Sequence, residues 1–224
     1  MKRLLTLFAV IGSLSLGACA FTPKTFDPKL ASIPNPTQGP AVKIVSVEDA
    51  RVFGPFVSGK CDTPSVEGDY HDKALTSRVI ARLGCNYERA NILLPEGKTV
   101  ATLIGDVVMN AFKESGYRVL PSSAQEPAME LNVKILESWV SWKLEGMGAR
   151  RTALNTISIS TNKTSDDVKV ADHFSDNFHD AFVLPGIHHV VEPYVNSIDI
   201  LKQKLKEQIK NHSFTADNQT ASVQ

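Results

Sequence analysis

The chain predicts an α+β domain with a mostly antiparallel sheet and two amphipathic helices, and three observations carry that reading. Residues 99–115 and 193–211 place apolar side chains at helical spacing. Residues 129–161 alternate apolar and polar side chains, as half-buried strands do. Turn signals separate these stretches closely enough to make neighbouring strands antiparallel.

Taken in order, the first strand falls at residues 41–47, AVKIVSV, and residues 51–57, RVFGPFV, are expected to continue it after a turn. Residues 60–72 hold proline, glycine and aspartate and read as a loop. Residues 77–83, SRVIARL, form a short strand candidate. In the first helix Val100, Leu103, Ile104, Val107, Val108, Ala111 and Phe112 make one stripe. Thr99 can cap its start, and Gly116 can end it in the left-handed conformation. Tyr117 to Leu120 follows as a strand entry. Met129, Leu131, Val133 and Ile135 then alternate with polar residues, after which Val140, Trp142 and Leu144 occupy the other parity. A β-bulge or bend near Glu137 and Ser138 is the expected cause. Residues 151–161 return as a hairpin partner and residues 166–182 as a third strand of the meander. The last helix carries Tyr194, Ile198, Leu201, Leu205 and Ile209, and extends back through Ile187, Val190 and Val191 if it begins earlier. Pro193 argues for a start or a kink, because proline is tolerated in the first turn and not in the interior.

The amino terminus reads as an address. Lys2 and Arg3 precede an apolar run to Leu16, and Leu16-Gly17-Ala18-Cys19 closes it. That is the layout of a secretory signal, too short to span a bilayer. The cysteine at the cleavage position resembles the lipobox of bacterial lipoproteins, which implies a signal peptide over 1–18, a diacylated Cys19 at the mature terminus and an anchor in the membrane. Ala20 stands where an aspartate would retain such a protein in the inner membrane, so the periplasmic face of the outer membrane is the expected location. Residues 19–40 hold five prolines after the cysteine and read as a lipidated, Pro-rich tether, long enough as polyproline II to reach roughly 60 Å. The domain itself is expected over 41–211, with a polar, disordered tail over 212–224.

Basic and acidic residues balance at 24 each, which excludes the electrostatic footprint of a nucleic-acid binder. Expected partners are the membrane, through the lipid, and an envelope protein. Cys61 and Cys85 are an even pair in an exported chain and are expected to form a disulfide. Closing that loop of about 25 residues would contribute roughly 3.5 kcal/mol in the chain-entropy account.

No catalytic constellation emerges. Gly-x-Ser-x-Gly, phosphate-binding glycine loops and His-Glu-x-x-His are all missing from the sequence. His173 and His179 are the candidates for metal ligands. On a strand they share a face with Ser175 and Asn177, while the aspartates lie opposite and do not converge on them. On a helix His173, Asp176 and Asp180 would meet. Trp139 and Trp142 divide between the core and the hairpin surface. A non-enzymatic protein without cofactor is the expectation.

The order of helix, Gly116-Tyr117, Val119, residues 131–135 (LNVKI), Ile157-Ser158-Ile159 and a final amphipathic helix resembles the YajG-like lipoproteins over roughly residues 90–210. The resemblance implies two helices packed on one face of the sheet and brings no catalytic residues. The long segment from Cys61 to Cys85 departs from it. The functional expectation is an envelope interaction module. The alternative is a lipid- or small-ligand-binding auxiliary lipoprotein of a transport system, which would need an apolar cavity between helices and sheet.

Overall fold

The computed structural model describes residues 23–60, 63–83, 90–145, 148–164, 166–178, 186–211 and 214. Its elements are β1 (Lys24–Thr25), β2 (Ala41–Asp49), β3 (Gly54–Pro55), β4 (Ser65–Val66), α1 (Lys73–Thr76), β5 (Val79–Leu83), β6 (Ala90–Leu93), α2 (Val100–Glu114), β7 (Arg118–Leu120), β8 (Met129–Glu145), β9 (Gly148–Thr161), β10 (Val168–Phe178) and α3 (Ile187–Lys210). The α+β class is as the sequence reads.

One sheet organises the domain. Its 17-residue strand β8 is the axis, paired along one side with β9, which in turn pairs with β10, both antiparallel. On its other side β8 meets β2 along its first half and β5 at Val140, both parallel. From there β2 continues to β7 in parallel, while β5 pairs with β6 in antiparallel and β6 with β1 in parallel. The sheet is therefore mixed, with parallel pairing on one side of β8, and not mostly antiparallel. The reason is connectivity: β2 and β8 are joined by a crossover that contains α2, and such long returns allow parallel neighbours where a short hairpin allows only antiparallel ones. Local periodicity reports consecutive hairpins and is blind to partners so far apart in sequence.

The change of parity in β8 has the expected cause. Ile135 pairs with Ile157 and Glu137 with Thr156, so Leu136 is the extra residue of a bulge. Before it Leu131, Val133 and Ile135 face the helices; after it Ser138 and Val140 do. Trp139, of the opposite parity, is buried on the other side of the sheet with Val66, Val79 and Leu93, under Phe53, Tyr70 and Leu75.

The two long helices lie on one face and share a single core with the sheet. Ile104, Val107, Val108, Ala111 and Phe112 of α2 and Tyr194, Ile198, Leu201 and Leu205 of α3 join Leu131, Val133, Ile135, Ile157 and Ile159 in it. Thr99 caps α2 through a capping box with Thr102, the two residues exchanging backbone-to-hydroxyl bonds of 3.1 and 3.0 Å. Gly116 follows at φ 86°, the left-handed turn expected after the helix. For α3 the longer of the two sequence readings holds, since it begins at Ile187 and takes Pro193 into its interior.

Two terminal segments differ from expectation. The proline-rich stretch is packed from residue 24 onward. Phe26 donates its backbone N–H to Leu93 O at 2.9 Å, Phe26 and Leu30 lie against the core, and Asn110 Nδ2 reaches Ala31 O at 3.1 Å. Asn35 exchanges two hydrogen bonds with the backbone of Val119. Gly39, at φ 114°, comes so close to the Gly116 carbonyl that a Cβ there would sit 2.2 Å from its oxygen. Proline favours extension but not solvation, and the apolar Phe26 and Leu30 turn the extended chain into a docked strap. At the other end Phe214, in the expected tail, is 1% exposed, with its ring 5.6 Å from that of Phe112.

Candidate functional site

The polar groups with the most organised geometry lie under α3, where β8, β9 and β10 are covered. The bulge in β8 turns Ser138 toward the helix, where an unbroken alternation from Ile135 would have placed Glu137. Ser138 Oγ donates to Asn155 Oδ1 at 2.7 Å and shares a 2.8 Å bond with the Tyr194 hydroxyl. Asn155 Nδ2 donates to Ser197 Oγ at 2.7 Å, and Ser197 Oγ donates to Asp172 Oδ2 at 2.8 Å. Lys204 closes the chain at the surface, its Nζ 3.2 Å from Asp172 Oδ1 and donating to Ala171 O at 2.9 Å. Ser138, Asn155, Tyr194 and Ser197 are fully buried. Burial pushes the Tyr194 hydroxyl up from its ordinary value, so it is held neutral.

The far side of Ser138 is held by Arg51. This buried guanidinium binds both carboxylate oxygens of Asp49 at 2.8 Å. It also donates to the carbonyls of Val79 at 2.7 Å, Ser138 at 3.0 Å and Thr76 at 2.7 Å. One side chain thus ties the end of β2, the end of α1, the start of β5 and the bulge in β8. Arg satisfies several acceptors in fixed fork geometry where a lysine would not.

A second fixture explains the tolerated proline. Pro193 has no N–H to give the His189 carbonyl one turn back, which would leave that oxygen without its helical partner. Arg151 of β9 supplies the missing donor, with Nη1 2.7 Å from His189 O. The same guanidinium is gripped by Asp176 of β10, with an Nε–Oδ1 bond of 2.8 Å, and by Glu192 at 3.3 Å. Burial disfavours its charge, but Asp176 and then Glu192 more than offset that, and its pKa rises.

Chemically these are fasteners. Ser138 faces a carboxamide, which has no capacity to take a proton as a general base, and the Ser197–Asp172 pair is sealed from solvent. Every hydroxyl between Tyr194 and Asp172 has a partner on each side, as a buried network must to avoid a net cost.

The residues singled out from sequence lie elsewhere. Cys19, Cys61, Cys85 and His179 fall outside the described residues. Among the described residues, Arg82 Nη2 donates to Lys60 O at 2.7 Å. His173 is exposed on the outer face of β10 opposite Leu154, with Ser175 and Asn177 on the same side. Asp172 and Asp176 point to the helix side, as the strand reading implies. Among the described residues no three His, Cys, Asp or Glu side chains come together as a metal site. Of the tryptophans, Trp139 is buried and Trp142 half-buried. Ser138, Asn155, Asp172 and Ser197 were missed as a group. The one sequence signal was polar residues sitting in apolar phase, Asn155 between Ala153 and Ile157, and Ser197 between Tyr194 and Leu201.

The space between the helices and the sheet is filled by side chains of the common core. Open concavities lie along the strap beside α2 and at the ends of the two helices. One of about 600 Å³ sits between the C-terminal ends of α2 and α3 and is lined by Tyr117, Ile209, Lys206 and Lys210 among others. No helix among the described residues is long and apolar enough to cross a membrane.

No family model and no curated protein matches the chain. Among solved structures it is similar to protein XCC0632 from Xanthomonas campestris, family-model DUF330, at 10% identity and a TM-score of 0.46, over 89% of this chain and 98% of that one. A second crystal structure, of an uncharacterized protein, aligns at 10% identity and a TM-score of 0.43 over 84% and 99%.

Proposed function

We propose that this chain is a lipid-anchored lipoprotein of the bacterial envelope, of the YajG-like kind, facing the periplasm from the outer membrane and acting as a non-enzymatic interaction module. The anchor rests on Leu16 to Cys19 and the sorting on Ala20. The absence of catalysis rests on one structural observation: the best-organised polar groups, from Tyr194 to Asp172, are engaged with one another and sealed beneath α3. A disulfide between Cys61 and Cys85 belongs to the same reading, as the stabiliser of an exported domain.

Crosslinking of the full-length protein in its own outer membrane tests the function. A defined envelope protein captured by the wild type, and lost when surface residues of the domain are changed, supports the module. A domain that captures none, in cells whose surface is unaltered by the deletion, overturns it.

The cleft of about 600 Å³ at the ends of α2 and α3 favours a second reading, that of a ligand-binding auxiliary lipoprotein, because its volume falls in the range of small-molecule sites. Native mass spectrometry of protein purified from membranes, showing a lipid or metabolite carried with it, would move the balance to that reading.

A further inference from the structure

We infer that the end of the sheet where β5 and β6 meet faces the bilayer, and that the segment carrying Val57 and Lys60 touches the phospholipid headgroups there. The inference rests on the proposed anchor at Cys19.

The strap sets the geometry. Because β1 pairs in parallel with β6, Lys24 beside Ile92 and Thr25 beside Leu93, the chain before Lys24 leaves toward the end of β6 that holds Ala90. That is also the end where Leu83 pairs with Ala90, the last pair of the β5–β6 ladder. A free spacer over residues 19–40 would place no constraint on orientation. With packing from residue 24 onward, only the residues from Cys19 to Pro23 separate the acyl chains from the sheet, at most about 18 Å of extended backbone. The domain is therefore held close to the membrane by one chosen edge.

The same end presents a surface suited to it. Phe56 lies 4.4 Å from the Arg82 guanidinium in a cation–π contact, and Lys60 O accepts from Arg82, so residues 56–60 are fixed beside β5 at the level where Arg82 pairs with Asn91. Two strand spacings, about 10 Å, separate β5 from β1, so this segment and the departing amino terminus are neighbours. Val57 there is 44% exposed, one of the exposed large hydrophobic residues among the described residues. Lys24 and Lys60 are exposed on either side. Apolar side chains flanked by cations suit the boundary between headgroups and acyl chains, and each lysine adds attraction to anionic lipid. The occupant argued for is thus an anionic phospholipid surface.

Photocrosslinking decides it. The full acylated protein is reconstituted into vesicles of phosphatidylethanolamine and phosphatidylglycerol that contain a headgroup-diazirine phospholipid, and labelled peptides are mapped by mass spectrometry after flotation. Residues 56–60 should be labelled about fivefold or more above residues 168–178 of β10, and the V57D/K60E variant should lose most of that labelling while still floating with the vesicles. Equal labelling of the two regions, or none at 56–60 in protein that floats, overturns the orientation and leaves the anchor standing. Protein that fails to float overturns the anchor, and the orientation with it.

Discussion

The helices α2 and α3 cover the same face of the same sheet, yet they are held by different physics. The buried stripe of α2 is apolar throughout, with a capping box at its start and a glycine at its end. Nothing in α2 needs the rest of the protein to excuse it. The buried stripe of α3 carries Tyr194 and Ser197, contains a proline six residues from its start, and begins at Gly186 with no side-chain cap. The two polar residues and the proline are answered from the sheet, by Ser138, Asn155, Asp172 and Arg151. The pair shows that one amphipathic pattern can conceal two kinds of attachment, one that tolerates apolar exchange and one that depends on partners in register.

The difference can be broken from the α2 side with the largest effect. Phe112→Ala removes a fully buried ring that packs edge-on against Tyr117 and near Phe214, and should cost about 3–5 kcal/mol in denaturant unfolding. A loss under about 1 kcal/mol would mean the site collapses around the gap.

Next comes the polar chain. Asn155→Leu leaves Ser138 and Ser197 each short of a partner and should cost about 2–3 kcal/mol, although leucine is the more apolar residue. If the variant proves neutral or stabilised, the chain is not what fixes α3.

The proline fixture gives a sharper comparison. Arg151→Met should cost about 1–3 kcal/mol by exposing the His189 carbonyl and the Asp176 carboxylate. Pro193→Ala restores the helical N–H, so in that background the same Arg change should cost about 1 kcal/mol less. A double-mutant cycle that closes additively would show that Arg151 does not substitute for the missing donor.

The smallest effect lies where the two helices meet. Lys206 and Lys202 of α3 both bind Glu114 of α2, at 2.7 and 3.1 Å. The Lys206 hydrogen bond, against the opposing effect of burial and with help from Lys202, holds the Glu114 carboxyl below its ordinary 4.5. A carboxylate with a depressed folded pKa contributes stability that is complete above 4.5 and lost as pH falls through the lowered value. Water screens this pair, so Glu114→Gln should reduce the stability lost on acidification by about 0.3–1 kcal/mol and lower stability at pH 7 by the same amount. Identical acid limbs for the two proteins would remove Glu114 from the account.

Legibility follows the same division. The start and end of α2 were readable to the residue, because Thr99, its apolar stripe and Gly116 act within a few positions of one another. The bulge was readable within two residues from the change of parity in β8. The strap was not, since prolines announce extension whether the chain is free or docked, and only Phe26 and Leu30 hinted at burial. The candidate polar site was almost invisible, because Ser138, Asn155, Asp172 and Ser197 lie on four separate elements and each alone resembles a surface residue out of phase.

By itself the sequence determined the α+β class, the caps and stripe of α2, and the bulge that reverses β8, all of which are written in short-range spacing. The tertiary structure alone decided the parallel partners of β8, the docking of the proline-rich strap, and the passage of Pro193 into a helix. Those outcomes depend on which distant groups arrive beside a given backbone atom, and a hydrogen bond such as that from Arg151 to His189 leaves no periodic trace along the chain.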